Sequence, residues 1–178
     1  YHMFSYALAQ AKGPIFIRYP KGKTALSTDD DLAIASYLEE SGQAKTEVTK
    51  GQWISPGEDL HIISWGYATG LAYQAMKVLA KEGIGASILD LREIHNLDSA
   101  LIEEAMKKPC LIVEEAIYPG SVAEEISALA YGKKLQTPLQ CINIKNQPVL
   151  QGPRNLVLDQ LGISVDHIVE EGKKLLER

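Results

Sequence analysis

Arg92 follows the apolar run Ile88-Leu89-Asp90-Leu91, and Arg18 follows Ile15-Phe16-Ile17. Each stands just past a short run with strand character, where a guanidinium fork can meet a phosphate in bidentate geometry. Arginine is scarce here: Arg18, Arg92, Arg154 and Arg178 are four of eighteen Lys plus Arg. Arginine is the side chain for planar, bidentate contacts that lysine cannot make. Two readings stand for each site. Arg92 binds an anion, or pairs with Asp90, Glu93 or Asp98 and fixes a loop. Arg18 binds an anion, or forms a surface ion pair.

The other candidates are weaker. Glu114 and Glu115 are consecutive, so in extended chain they face opposite sides and cannot form a two-carboxylate acid/base pair. One could hold neighbouring backbone or reach across an interface; the alternative is a solvated loop. His95, three residues beyond Arg92, is placed for general acid/base work or is an exposed loop histidine. His61 within a strand and His167 in a first helical turn read as structural or solvated. The segment Gly66-x-x-x-Gly70 could turn backbone N–H groups toward an anion. It has neither the G-x-G-x-x-G fingerprint nor the Lys-Ser/Thr of a P-loop, and reads better as a structural turn. No histidine has H-E-x-x-H spacing and no serine lies in G-x-S-x-G. Cys110 and Cys141 fit no zinc or C-x-x-C pattern and read as buried thiols of a reducing compartment.

These residues need elements to position them. Met3, Phe4, Ala7, Leu8 and Ala11 recur at helical spacing, and Gly13-Pro14 stops that helix. Residues 15–17 then read as a short strand. A polar stretch from 24 to about 59 reads as a connection with a short helix near 32–38. Beyond it the periods become regular: strands at 60–63, 86–91, 110–113 and 139–144 alternate with helices. Thr69 is the expected N-cap of the first of these helices, which ends at Gly83. A helix over 98–108 precedes Pro109, and Ser121 with Glu124 has capping-box spacing. Two helices close the chain, one after Pro153 and one capped by Ser164. This alternation predicts a three-layer α/β/α fold with a mainly parallel sheet and helices on both faces. In such sheets ligands gather beyond the carboxyl ends of the strands, where Arg92 and the 114–115 pair fall.

Composition bounds the partners. The 178 residues carry a formal charge of −5 without a block of like charge, which gives no footprint for nucleic acid or an anionic membrane. No apolar run is long enough to span a bilayer. The expected location is cytoplasmic. The chain opens at Tyr1 rather than an initiator methionine and reads as a fragment of a longer polypeptide.

Four segments, in order, resemble the 1-deoxy-D-xylulose-5-phosphate synthases. Ile17-Arg18-Tyr19-Pro20-Lys21-Gly22 resembles the R-Y-P-[RK]-G segment, behind a helix and a Gly-Pro step as in that family. Residues 88–98, ILDLREIHNLD, are similar to its D-x-R-x-x-x-x-L-D stretch. Residues 111–120, LIVEEAIYPG, resemble V-x-x-E-E. Residues 148–164, PVLQGPRNLVLDQLGIS, are similar to a run in which a Q-G or H-G pair precedes a helix ending in L-G-L. The chain departs from the pattern after Glu115, where Ala116, Ser121 and Ala123 replace a glycine-rich run.

The resemblance implies a thiamine-diphosphate enzyme of transketolase type, joining a two-carbon unit from pyruvate to D-glyceraldehyde 3-phosphate. That reaction opens the non-mevalonate isoprenoid route and feeds thiamine and pyridoxal phosphate synthesis. Residues 1–23 would be the tail of the pyrimidine-binding domain, 24–58 a linker, and 59–178 a transketolase carboxyl-terminal-like domain. Arg18 and Arg92 map onto the two arginines that grip the acceptor phosphate. The full-length enzyme would be a homodimer using thiamine diphosphate and Mg. This fragment, without a G-D-G…N motif, would bind neither and be inactive alone. The alternatives are the carboxyl-terminal domain of a transketolase or of a 2-oxo-acid dehydrogenase beta subunit, and a stand-alone dimerisation or regulatory domain.

Overall fold

The computed structural model describes residues 2–10, 12–19, 25–42 and 47–177. Elements in chain order are α1 (His2–Gln10), α2 (Thr28–Glu40), β1 (Gln52–Ser55), β2 (Leu60–Ser64), α3 (Tyr67–Lys81) and β3 (Ala86–Asp90). They continue with α4 (Ser99–Ala105), β4 (Cys110–Ile117), α5 (Val122–Gly132), β5 (Leu139–Ile144), α6 (Arg154–Gln160) and α7 (Val165–Leu176). The strands form one five-stranded sheet in the order β1-β3-β2-β4-β5. Strands β2, β3, β4 and β5 run parallel, so their carboxyl ends share one edge; β1 is antiparallel to β3.

Alternation along the strands divides the core in two. Leu60, Ile62, Ile88, Leu111 and Val113 meet α3, α6 and α7, with Ile34 and Leu38 of α2 packed on the same cluster. Ile63, Leu89, Cys110 and Ile112 face the other way, onto Ile102 and Ala105 of α4 and Ala123 and Ile126 of α5. The α/β/α layering expected from the periodicity is thus observed.

Several local expectations change. Residues 15–17 pair with no strand among the described residues, since a three-residue run without a neighbouring strand has nothing to satisfy its backbone groups. Around them Phe16 is 95% and Leu8 89% exposed, so this stretch buries little of its apolar surface within the described chain. The polar stretch before residue 59 carries more structure than its composition signals. Ser27 caps α2 in a full capping box with Asp30, so the Asp29-Asp30-Asp31 cluster is a helix first turn, where negative charge is favourable. Strand β1, also within that stretch, was hidden because its ladder partner β3 lies more than thirty residues away. It exits through Gly57, where a Cβ would come within 2.2 Å of the Ala86 backbone, so only glycine fits.

Helix α2 is fastened to α3. Asp30, 4% exposed, accepts hydrogen bonds from Gln74 Nε2 and Lys77 Nζ, both at 2.7 Å. A Cβ on Gly70 would stand 2.6 Å from Ala25 Cβ, so glycine at this helical position lets the segment before α2 lie against α3. The Lys77 ammonium, ahead of the Ser27 contacts, holds the Asp30 carboxyl well below the usual carboxylate range.

Candidate functional site at the carboxyl edge of the sheet

The shared carboxyl edge of β2, β3, β4 and β5 is where loops and helix N-termini meet. At its β2/β3 end, Ser64 is paired in register with Asp90, and Leu91 N donates to Ser64 O at 2.8 Å. The turn after β2 passes through Gly66, whose φ of +61° suits glycine, and α3 then starts at Tyr67. That start corrects the expected cap. Gly66 takes the N-cap place without a side-chain bond, leaving the Thr69 hydroxyl within the first helical turn and available to another partner. Thr69 Oγ1 donates to Asp90 Oδ1 at 3.0 Å and accepts from Ser64 Oγ at 3.2 Å. Ser64 and Thr69 are buried.

Arg92 follows directly and is half-buried. None of its acidic neighbours pairs with it. Asp98 caps α4 and faces Lys50 at 3.6 Å, Glu93 accepts from Asn96 at 2.8 Å, and Asp90 is engaged by Thr69. Arg92 makes no hydrogen bond or ion pair among the described residues. Burial pulls its pKa down from the ordinary value and the Asp90 charge pulls it back up; a guanidinium stays cationic throughout. Burial likewise pushes Asp90 up, against the Thr69 hydrogen bond and the Arg92 charge.

Arg18 is exposed in the irregular segment after α1, next to Tyr19, whose ring meets Phe4 edge-on at 6.3 Å. The remainder of the R-Y-P-K-G segment, from Pro20 to Gly22, lies outside the described residues.

The consecutive glutamates point opposite ways, as extended chain requires. Glu114 is fully buried, accepts from Asn143 Nδ2 at 3.4 Å, and has no hydrogen-bond partner on Oε2 among the described residues. Burial raises its pKa, opposed by Ser121, Asn143 and the Ala123 backbone at the start of α5. Glu115 instead pairs with Arg154 of α6, whose guanidinium lies 3.7 Å over the Tyr67 ring. These three residues tie β4, α6 and α3 together beside a cleft of about 310 Å³ whose lining includes Ile144, Leu150, Val157 and Leu161. Sequence reasoning passed over Arg154. One signal was present: a cation in the first position of a helix opposes the macrodipole, so other partners must hold it.

His95 is exposed in the loop after Arg92. His61 Nδ1 lies 2.8 Å from the Ala105 carbonyl and its ring packs on Trp53, a structural role. Among the described residues no three His, Cys, Asp or Glu side chains converge on a possible metal position, and no helix is long and apolar enough to cross a membrane.

Residues 49–168, most of the sheet and its helices, match the family described as "Transketolase, C-terminal domain". The chain belongs to this family. Among similar curated proteins, 1-deoxy-D-xylulose-5-phosphate synthase of Macrococcus caseolyticus is 28% identical over 179 residues, covering 98% of this chain and 27% of that protein. The synthase of Geobacillus thermodenitrificans is 24% identical over 183 residues, covering 99% and 27%. The chain therefore spans about a quarter of the length of these relatives. Solved structures with the same fold include a protein described as "Split gene transketolase, inactive beta4 tetramer", with a TM-score of 0.64 and 22% identity over 74% of this chain and 42% of that one. A Pichia stipitis transketolase described as complexed with xylulose 5-phosphate gives a TM-score of 0.51, with 18% identity over 72% and 18% of the two chains. In this transketolase C-terminal domain, Arg92 lies at the edge where α/β folds assemble ligand contacts.

Proposed function

We propose that this chain is the carboxyl-terminal part of a thiamine-diphosphate-dependent synthase that condenses pyruvate with D-glyceraldehyde 3-phosphate to 1-deoxy-D-xylulose 5-phosphate. The observation that carries the reading is Arg92, a half-buried guanidinium at the carboxyl edge with no ion-pair partner among the described residues. It stands within a chain that aligns over nearly its whole length to synthases of that name. In this reading Arg92 and Arg18 hold the acceptor phosphate by charge-assisted bonds and fix the aldehyde carbon for attack. The whole enzyme is a homodimer that works in the cytoplasm and supplies isoprenoid and thiamine precursors.

Thiamine diphosphate supplies the carbanion chemistry when bound. Among the described residues no three His, Cys, Asp or Glu side chains are grouped where they could hold its metal. In this reading the remainder of the enzyme holds the cofactor, and this domain contributes binding and orientation of the acceptor.

Steady-state kinetics of the intact enzyme with Arg92→Ala or Arg18→Ala test it. Acceptor kcat/KM should fall while pyruvate decarboxylation is largely kept. Wild-type acceptor parameters in both variants would reject the assignment.

A further inference from the structure

Asp90 is the last residue of β3 and Arg92 lies two residues on, in the bend that follows the strand. At that separation in the chain a carboxylate and a guanidinium are candidates for an ion pair. Here they do not pair: each feels the other's charge, yet no ion pair or hydrogen bond joins them. Asp90 is bonded elsewhere. Its Oδ1 accepts from Thr69 Oγ1 at 3.0 Å, and Thr69 in turn accepts from the fully buried Ser64 at 3.2 Å. The relay is anchored on the ladder, since Ser64 and Asp90 are register partners, and on the first turn of α3, whose backbone fixes Thr69.

We propose that Thr69 is a positioning residue that holds the Asp90 carboxylate away from Arg92 and so keeps the guanidinium open to an anionic phosphate group. This rests on the reading of Arg92 as a phosphate-binding residue and adds what keeps it available. The chemistry is a competition. A carboxylate and a phosphate want the same planar fork of donors, and the carboxylate two residues away has the advantage of proximity. A hydroxyl that donates to that carboxylate favours one rotamer and satisfies one of its oxygens. The residual negative charge still steadies Arg92 without occupying its donors.

Thr69→Val removes the hydroxyl with little change in volume. It frees Asp90 to swing onto Arg92. Thr69→Ser keeps the donor. Thr69→Val with Asp90→Asn removes the competitor as well.

The test is titration of inorganic phosphate into the 178-residue chain at constant ionic strength, following the Arg92 Nε–H resonance by NMR. Wild type and Thr69→Ser should show the same saturable shift. Thr69→Val should bind about three- to fivefold more weakly, the scale of a competing exposed ion pair, and the double variant should recover wild-type affinity. Equal affinity in Thr69→Val and wild type overturns the positioning role alone. Weakening that the double variant fails to reverse also overturns it, because the loss is then structural. An Arg92 signal that phosphate leaves unmoved in wild type overturns the underlying phosphate reading instead.

Discussion

Asp30 of α2 accepts a hydrogen bond from Lys77 Nζ of α3 at 2.7 Å while its own side chain is only 5% exposed. The same carboxylate closes the capping box with Ser27, so one residue both starts α2 and fastens it to the domain. Asp30→Ala removes the box and leaves Gln74 and Lys77 without their acceptor. A stability loss of about 1–3 kcal/mol is expected, read as a lower urea midpoint.

The acid response of that contact has a definite sign. The folded pKa of Asp30 is depressed, with Lys77 the largest cause. Its stabilisation is therefore complete above the ordinary aspartate value near pH 4 and drains away as pH falls below it. Asp30→Asn should flatten this part of the stability profile, with the two proteins converging at the acid end. Parallel profiles for the two proteins between pH 5 and pH 2 would contradict the assignment.

Glu114 behaves oppositely. Burial raises its folded pKa, so its ionisation opposes folding as pH rises past the ordinary glutamate range. Glu114→Gln keeps the shape and an acceptor for Asn143 while removing the buried charge. The variant should be as stable as wild type below about pH 4 and more stable near neutrality. Chemical denaturation at both pH values decides the point.

Gly70→Ala sets two effects against each other. Alanine within a helix favours folding by about 0.5–1 kcal/mol over glycine. The new methyl would stand 2.6 Å from Ala25 Cβ, too close to be accommodated without a shift. We expect the clash to win locally: hydrogen exchange should show lost protection across α2 with α3 intact. Unchanged protection in α2 would mean that the packing there is loose.

Arg154→Lys keeps the charge but loses the planar fork over Tyr67 and the geometry toward Glu115. Both groups are partly exposed, so the cost is modest, about 1 kcal/mol, and concentrated in α6. Faster amide exchange across α6 in the variant is the expected readout.

At the proposed acceptor site, Arg92→Lys in the intact enzyme should behave much like Arg92→Ala. Loss of a charge-assisted bond is worth about 1.5–3 kcal/mol, or roughly ten- to a hundredfold in kcat/KM for the phosphorylated aldehyde. A lysine variant with near-normal kinetics would show that charge alone suffices there.

Much of the architecture is legible in the sequence. Strands β2 to β5 and the helices between them announced themselves because each combines an apolar period with a local stop or cap: Gly83 after α3, Pro109 after α4, Ser121 before α5, Ser164 before α7. Those signals act over a few residues, so they can be read in line. Opposed faces for Glu114 and Glu115 followed from strand geometry in the same way. The ordered segments around Arg18, Asp90-Leu91-Arg92 and Glu114-Glu115 pointed to the enzyme family to which the synthase relatives belong.

Other features depended on partners distant in the chain. Strand β1 exists because β3 supplies its ladder, and α2 is docked because Lys77 and Gln74 meet Asp30 across more than forty residues. Thr69 has cap chemistry in sequence but relay chemistry in space, because Gly66 takes the turn and Ser64 and Asp90 close on the hydroxyl. The types of Asp90 and Arg92 and the two-residue step between them were written in the sequence. Whether they would pair was decided only by the fold, which brings a third side chain from α3 to the carboxylate and leaves the guanidinium without it.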